Sequence, residues 1–266
     1  MDWMEFLTLA GANFVLIMAL MIALWGVSVV IRDSSIADIY WGTGLVIAAW
    51  FTWAISGGVE ARRVLVLALV TAWGLRLSLY LLWRNWGAED ARYARLRRHI
   101  DEQGGNYALH SLKHVYLLQG FFMWVISLVL IFSLSLDAPP TLGVLAWAGV
   151  ALWSIGMFFE TVGDWQLARF RADPANAGKV MDRGLWRYTR HPNYFGEACV
   201  WSGFFLIALE HPAGIVTAVS LLTILYALIG PTGKGLLERR MSKKRPDFEA
   251  YVRRTSGFFP LPPKQD

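Results

Sequence analysis

The sequence has little of what soluble and secreted proteins commonly depend on. Its 266 residues include one cysteine, Cys199, which excludes a disulfide within the chain and a cysteine-based metal site. Charged residues make up 17% of the chain, against roughly 25% in a typical soluble domain. Hydrophobic residues reach 56%, which excludes a disordered chain, a coiled coil and a nucleic-acid-coating tail. We therefore expect neither a nucleic-acid partner nor a metal site.

Nucleotide-binding motifs of the soluble type are absent as well. Gly42 and Gly44 flank Thr43 inside an apolar run, and the third glycine of a dinucleotide fingerprint is missing. Residues 230–235 read Gly-Pro-Thr-Gly-Lys-Gly and lack the Ser or Thr that a phosphate loop places on its magnesium ion. Any nucleotide would therefore have to be bound by a site of another kind.

The apolar residues cluster into runs long enough to cross a bilayer. About 20 apolar residues are needed to span the hydrocarbon core, and only helices or closed barrels satisfy the backbone there. We therefore predict an all-α integral membrane protein, a single domain of seven transmembrane helices. The predicted spans are 6–31, 39–59, 64–83, 115–136, 142–159, 194–209 and 215–229.

The basic residues predict how this bundle is oriented. The connections after the first, third and fifth spans and the C-terminal segment hold 1, 6, 6 and 9 Lys and Arg, 22 of the 25 in the chain. Basic loops face the cytoplasm, so we expect the N-terminus outside and the C-terminus inside. The long cytoplasmic segments are then 84–114, 169–191 and 230–266, and chemistry is expected on that side.

Several ionisable residues lie within or beside the spans, where they are costly and suggest function. Asp38 begins the second span, Arg76 lies in the middle of the third, and Glu160 and Asp164 extend the fifth. Structural alternatives exist for each. Asp38 could cap its helix, Arg76 could pair with a buried carboxylate, and the two acidic residues could form a solvated helix end.

The stretch 182–197 has the densest polar pattern in the chain. It places arginines and a histidine directly before Pro192, which suits the first turn of a helix. Cationic side chains at a helix N-terminus favour an anion such as phosphate or carboxylate, although a cytoplasmic basic loop would also contain arginines. The polar residues on which this prediction depends are Arg183, Arg187, Tyr188, Arg190, His191, Asn193 and Glu197.

The run 184–197, Gly-Leu-Trp-Arg-Tyr-Thr-Arg-His-Pro-Asn-Tyr-Phe-Gly-Glu, resembles the signature of the membrane steroid 5-alpha-reductase family. Residues 38–42, 87–93, 156–171 and 251–260 are similar to the bacterial branch of these reductases, so the resemblance covers nearly the whole chain. The resemblance to the sterol reductases and to the isoprenylcysteine carboxyl methyltransferases is weaker. The methyltransferases share much of the Arg-His-Pro-Asn-Tyr piece.

The resemblance implies a seven-helix bundle that holds NADPH in a cavity facing the cytosol, with a lipophilic enone or steroid beside it. By position it assigns a catalytic role to Asp38, with Trp73 where the family has a tyrosine, so Trp73, Tyr40 or Tyr80 would supply the second donor. Asp38 would have to be protonated, which burial among apolar groups such as Tyr40 and Trp41 would favour. The cofactor-binding residues expected from the resemblance and from charge are Arg76, Arg92, Asp164, Arg171, Tyr188, His191, Asn193, Glu197 and Lys234.

We therefore expect an NADPH-dependent reductase of the Δ4 bond of 3-oxo-steroids or similar enones, in contact with membrane lipid. We expect it to be monomeric and to lie in the inner membrane of a bacterium. An S-adenosylmethionine-dependent methyltransferase is the alternative enzyme. A transporter or lipid-binding scaffold is a third hypothesis. The lack of an internal repeat in the sequence disfavours it.

Overall fold

A computed structural model describes residues 2–87, 89–230, 233–245 and 247–264. Within these ranges the chain is helical and forms no strand beyond an isolated bridge between Thr189 and Ser256. The helices are α1 Trp3–Ile31, α2 Ile36–Ile55, α3 Glu60–Arg84, α4 Ala91–Glu102, α5 Tyr107–Ser111, α6 Leu118–Leu134, α7 Val144–Ala172, α8 Pro192–Ala208, α9 Ala218–Ile229, α10 Lys234–Lys244 and α11 Phe248–Arg254. A π-helical segment, Leu112–Leu117, joins α5 to α6.

The all-helical membrane class agrees with the prediction. Five helical segments of the described chain are long and apolar enough to cross a bilayer: Trp3–Ile31, Glu60–Arg84, Tyr107–Leu134, Val144–Ala172 and Pro212–Ile229. The other two predicted spans, 39–59 and 194–209, form α2 and α8 but are not among these five segments. The described helices therefore support an integral membrane protein, and the count of seven stays a prediction.

Several boundaries differ from the predicted ones. The fifth predicted span ends at residue 159, whereas α7 continues through Glu160 and Asp164 to Ala172. The segment 84–114 contains α4 and α5, and the segment 230–266 contains α10 and α11. Hydropathy marks where a helix leaves the hydrocarbon, not where its backbone hydrogen bonding ends, so these polar helices lie outside the predicted spans.

The chain divides into two units, and the prediction of one seven-helix domain stays a prediction. The first unit comprises residues up to 142 together with 211–220. In it α1, α2 and α6 are joined by buried polar contacts. The Asn13 amide donates to Thr52 Oγ1 at 2.9 Å, and the Trp124 indole donates to the Ala10 carbonyl at 2.9 Å.

The second unit comprises residues 143–210 and those from 221 onward, and α7 packs against α8 along facing glycines. A Cβ on Gly149 would lie 2.6 Å from the Gly203 carbonyl oxygen, and a Cβ on Gly203 would lie 2.6 Å from the Gly149 oxygen. Glycine therefore permits this close approach, as small residues commonly do between membrane helices. The Glu210 carboxylate accepts from the backbone N–H groups of Gly143 and Ala146 at 3.0 and 3.1 Å, at the N-terminus of α7.

Candidate functional site

In the first unit, Asp38 is the centre of a polar cluster with residues of α4 and α6. The Arg92 guanidinium donates to one carboxylate oxygen at 2.7 Å, and the Tyr93 hydroxyl donates to the other at 2.8 Å. The Gln119 amide lies 3.1 Å from the Tyr93 oxygen and 3.4 Å from Asp38. We call Asp38, Arg92, Tyr93 and Gln119 the Asp38 cluster.

Acidic side chains of the connection between α3 and α4 hold the cluster in place. Asp90 caps α4 by accepting from the Arg92 backbone N–H at 2.8 Å, and it also binds the Arg92 side chain at 3.0 Å. Glu89 accepts from the Ser34 backbone N–H at 2.9 Å and from Arg97 at 2.7 Å. The segment that carries Arg92 and Tyr93 is thereby fastened to the start of α2.

These contacts differ from the expectation that Asp38 is protonated among apolar groups. Both carboxyl oxygens of Asp38 accept hydrogen bonds, from a guanidinium and from a phenol, so its surroundings are polar and not apolar. Burial raises the pKa of Tyr93, and the charge and hydrogen bond of Asp38 raise it further, so the phenol keeps its proton. The O–H donor of the cluster is therefore Tyr93, and Asp38 orients it.

The other predicted catalytic residues lie on α2 and α3. Trp73 is fully buried in α3. The Tyr40 hydroxyl is buried and has no hydrogen-bond partner among the described residues. The Tyr80 ring packs against Trp83, and the guanidinium of Arg84 lies 6.0 Å from its centre. Arg76, predicted to bind cofactor, is half-buried in the same helix.

In the second unit, the predicted anion-binding stretch is tied to the C-terminal segment through Glu238. The Arg190 guanidinium donates to Glu238 Oε1 at 3.0 Å, and His191 Nε2 lies 2.9 Å from the same oxygen. Arg190 also donates to the carbonyl oxygens of Thr255 at 2.6 Å and Val252 at 3.2 Å. Arg190 and His191 thus contact a carboxylate of the protein itself. The prediction was an open site in which they would bind an external anion.

The pKa values of this group follow from its contacts. Burial favours the uncharged form of Glu238, but the hydrogen bonds from His191 and Arg190 outweigh it and lower the pKa of this carboxyl to about 2. Burial also lowers the pKa of His191, and the hydrogen bond to Glu238 opposes the shift only in part. The imidazole is therefore neutral at neutral pH and donates its Nε2 proton to Glu238.

Further hydrogen bonds fix the stretch 182–197 between α7 and the C-terminal helices. The Trp186 indole donates to the Gly163 carbonyl at 3.0 Å, and the Trp186 carbonyl accepts from the Tyr251 hydroxyl at 2.5 Å. The Thr189 hydroxyl donates to the Phe258 carbonyl at 2.8 Å. This explains why an irregular segment keeps a defined backbone.

The remaining predicted cofactor residues of this unit are partly brought together. The Asn193 amide donates to the buried Asp164 carboxylate at 3.2 Å. Glu197 is half-buried one turn further along α8, whereas the Tyr188 side chain is 43% exposed. Lys234 lies near Arg190 instead, because a Cβ on Gly257 would lie 2.6 Å from Lys234 Nζ and 3.1 Å from Arg190 Nη2.

Two openings in the second unit carry basic side chains. A small cavity of about 100 Å³ has an apolar floor that includes Phe170 and Trp186, and Arg171, Lys179 and Arg245 line it as well. A wider cleft of about 730 Å³ is lined by residues that include Arg183, Arg187 and Lys264. The apolar floor and basic edge of the small cavity suit a phosphate-bearing ligand with a flat ring.

Sequence reasoning missed Tyr93, Gln119 and Glu238 as members of these clusters. Tyr93 lies 55 residues from Asp38, and Glu238 lies 47 residues from His191, so no local pattern connects them. A weak signal was present for Tyr93, which stands within the family-like run 87–93 next to Arg92.

The comparisons with known proteins place most of the chain in one family. The family described as "Protein of unknown function (DUF1295)" matches residues 24–255. The chain belongs to this family. An uncharacterized protein of Schizosaccharomyces pombe is 25% identical over 269 residues, which cover 89% of this chain and 75% of that protein.

Shorter matches relate this DUF1295 member to a named enzyme and to a metal-resistance protein. The 3-oxo-5-alpha-steroid 4-dehydrogenase 1 of Mus musculus is 35% identical over 78 residues, 29% of this chain and 30% of that protein. The nickel-cobalt-cadmium resistance protein NccN of Alcaligenes xylosoxydans xylosoxydans is 27% identical over 117 residues, 43% of this chain and 52% of that protein. No solved structure matches the chain. Within the described ranges, no group of three or more His, Cys, Asp or Glu side chains could hold a metal ion.

Proposed function

We propose that this DUF1295 member is a membrane-bound reductase that uses NADPH to saturate the carbon–carbon double bond of a lipophilic enone, such as a Δ4-3-oxo-steroid. The observation that carries the proposal is the 35% identity to mouse 3-oxo-5-alpha-steroid 4-dehydrogenase 1, although it spans 30% of that protein. The apolar helices support the membrane location, since a lipophilic substrate reaches an integral protein through the bilayer.

The second unit contains side chains whose chemistry fits NADPH. Arg171, Lys179 and Arg245 supply positive charge for phosphate groups around an apolar cavity floor. Asp164 and Asn193, already joined by a hydrogen bond, offer acceptor and donor atoms for hydroxyl and amide groups. We propose Arg76, Arg92, Tyr188, His191, Glu197 and Lys234 as further cofactor contacts, as the family resemblance suggests.

For the chemistry, we propose that the Asp38 cluster provides the acid. When bound, NADPH supplies a hydride to the β-carbon of the enone, and a proton from water completes the saturated ketone at the α-carbon. Negative charge develops on the carbonyl oxygen, and the Tyr93 hydroxyl is the donor that would stabilise it. Asp38 and Gln119 position this phenol. Trp73, Tyr40 and Tyr80 stay as alternative donors.

We also propose the finer topology. Seven spans with the N-terminus outside would put both the Asp38 cluster and the 182–197 stretch on the basic, cytoplasmic side, where NADPH is available. We further propose that the protein is a monomer in the inner membrane of a bacterium.

The acid assignment is tested by Tyr93→Phe in detergent-solubilised protein supplied with NADPH and progesterone. Loss of one donor to a developing oxyanion costs about 10²-fold in turnover. We expect such a fall in Tyr93→Phe and a smaller fall in Asp38→Asn, with unchanged melting temperatures. Tyr226→Phe, at a 66% exposed tyrosine, is the matched control. Turnover in Tyr93→Phe equal to that of the control would exclude Tyr93 as the donor.

A methyltransferase that uses S-adenosylmethionine is the second candidate. The observation that favours it is the contact of Arg190 and His191 with Glu238, because the Arg-His-Pro piece that the methyltransferases share meets an acidic residue of the C-terminal segment there. A ligand that binds only the folded protein raises its melting temperature. We expect NADPH to raise it and S-adenosylmethionine to leave it unchanged, and the reverse result would favour the methyltransferase.

A further inference from the structure

A polar cavity of about 280 Å³ lies in the first unit, apart from the Asp38 cluster. Its lining includes Ser28 and Arg32 at the end of α1, Arg97 and Asp101 of α4, and Tyr107 at the start of α5. The proposed reduction does not use any of these residues. The cavity therefore requires a separate explanation.

The cavity lies where two membrane-spanning segments end. The segment Trp3–Ile31 stops one residue before Arg32, and the segment Tyr107–Leu134 starts at the cavity wall. The Trp25 indole donates to the Ala108 carbonyl at 2.9 Å and joins the two segments on the hydrocarbon side. A cavity at such a level meets the headgroups of the bilayer, and the exposed Val30, 82% accessible, lies at the same end of α1.

The charges of the cavity are of both signs. The side chains of Arg32 and Asp101 are exposed, and neither makes an ion pair with the described part of the chain. Arg97, in contrast, binds Glu89 at 2.7 Å and stacks 4.6 Å above the Tyr107 ring. One available cation and one available anion suit a zwitterion better than a ligand with a single negative charge.

The backbone of Arg32 supports a role for its side chain. Arg32 ends α1 with φ 56°, in the left-handed region that glycine occupies at lower cost. The Arg97 guanidinium donates to the Arg32 carbonyl at 2.7 Å and holds this conformation. Binding of an anionic group by the Arg32 guanidinium would explain why an arginine occupies a position that favours glycine.

We propose that this cavity binds the phosphoethanolamine headgroup of a membrane phospholipid, with Arg32 on the phosphate and Asp101 on the ammonium. The acyl chains would lie along the apolar end of α1. A choline headgroup carries no N–H donor for Asp101, and a glycerol headgroup carries no cation at all, so both bind more weakly.

The test uses the purified, delipidated full chain in detergent, with phosphatidylethanolamine, phosphatidylcholine and phosphatidylglycerol of equal acyl composition offered in competition. Native mass spectrometry counts the lipid that is retained. Each proposed ion pair at the membrane surface corresponds to about a fivefold difference in affinity. We expect a preference of about that size for phosphatidylethanolamine, and equal retention of the three lipids would overturn the proposal.

Arg32→Gly and Asp101→Asn test the two assigned contacts. Asp101→Asn should remove the preference, and Arg32→Gly should lower the retention of all three lipids, which share the phosphate. Arg98→Gln and Glu102→Gln, at exposed neighbours in α4 that do not line the cavity, should change neither the preference nor the retention. Arg32→Gly relieves the left-handed backbone, so its melting temperature should not fall below that of the wild type. A preference that survives in Asp101→Asn, or a retention in Arg32→Gly equal to that of the wild type, would contradict the assignment.

Soluble phosphoethanolamine distinguishes a lipid from a free metabolite as the source of the headgroup. We expect it to displace phosphatidylethanolamine only in large excess, because it lacks the acyl chains. Displacement at equal concentration would overturn the assignment to a lipid.

Discussion

At the scale of single residues, Glu238 joins the helix α10 to the 182–197 stretch. It accepts from Arg190 and from His191, both largely buried, with side-chain exposures of 11% and 5%. A neutral side chain at this position would leave the guanidinium without its charged partner. The helix α10 would then lose a charged contact with the 182–197 stretch.

Glu238→Gln is therefore expected to destabilise the folded protein by about 2 kcal/mol, the typical worth of hydrogen bonds to a charged group. The free energy of unfolding in detergent, from chemical denaturation, measures it. Glu249→Gln, at an exposed glutamate of α11, is the matched control and should stay within about 0.5 kcal/mol of the wild type. Equal stability of the two variants would show that the Glu238 contacts contribute nothing.

The same cluster predicts a pH dependence. The folded-state pKa of Glu238 is about 2, below its ordinary value of 4.5, so its contribution is present above pH 4.5 and is lost as pH falls toward 2. The pKa of His191 is also lowered, from 6.5, so acid weakens the fold through this group too. The stability difference between wild type and Glu238→Gln should shrink between pH 5 and pH 3. A difference that grows in acid would contradict this sign.

Much of the residue-scale result lies beyond sequence reasoning. Asp38, Asp164 and Asn193 stand out because polar residues at the ends of apolar runs are rare. Their partners do not stand out, since Tyr93 and Glu238 occur in polar segments where such side chains are ordinary. The polar surroundings of Asp38 come from Arg92 and Tyr93, and the sequence does not show that these two residues reach it.

At the scale of helices, the contact between α7 and α8 depends on glycine pairs. Gly203→Ala would place a Cβ 2.6 Å from the Gly149 carbonyl oxygen and 3.0 Å from backbone and side-chain atoms of Trp153. We expect a loss of about 1–3 kcal/mol, the usual cost of overpacking. Gly11→Ala, at a glycine of α1 with nothing within 4 Å, should instead be neutral or slightly stabilising. Thermal unfolding of both variants measures the contrast, and similar melting temperatures would refute close packing of α7 on α8.

Hydropathy predicted the existence of the helices well and their ends poorly. The first predicted span, 6–31, differs from α1 by three residues, because apolar composition and helix coincide there. The C-terminal end of the fifth differs by thirteen residues, because the helix α7 continues past residue 159 through polar residues. The polar helices α4, α10 and α11 carry no membrane signal, and their stability comes from contacts that only the folded chain provides.

At the scale of the whole molecule, the segregation of 22 of 25 basic residues is the property that most constrains function. With the buried Cys199 replaced by Ala, single cysteines can report on sidedness. We expect Thr141→Cys to react with a membrane-impermeant maleimide in intact spheroplasts, and Ala177→Cys to react only after lysis. The opposite pattern would invert the proposed orientation. Labelling of both positions in intact spheroplasts would contradict a seven-span topology.

The proposed NADPH-dependent reduction of an enone is tested most directly by following the transferred hydride. Purified protein is incubated with progesterone and NADPH that carries deuterium at the transferable position of the nicotinamide, and the product is analysed by mass spectrometry and NMR. We expect a saturated 3-oxo product with one deuterium at the former β-carbon and a solvent-derived hydrogen at the α-carbon. Deuterium at the carbonyl carbon, or no product while NADPH binds, would contradict it.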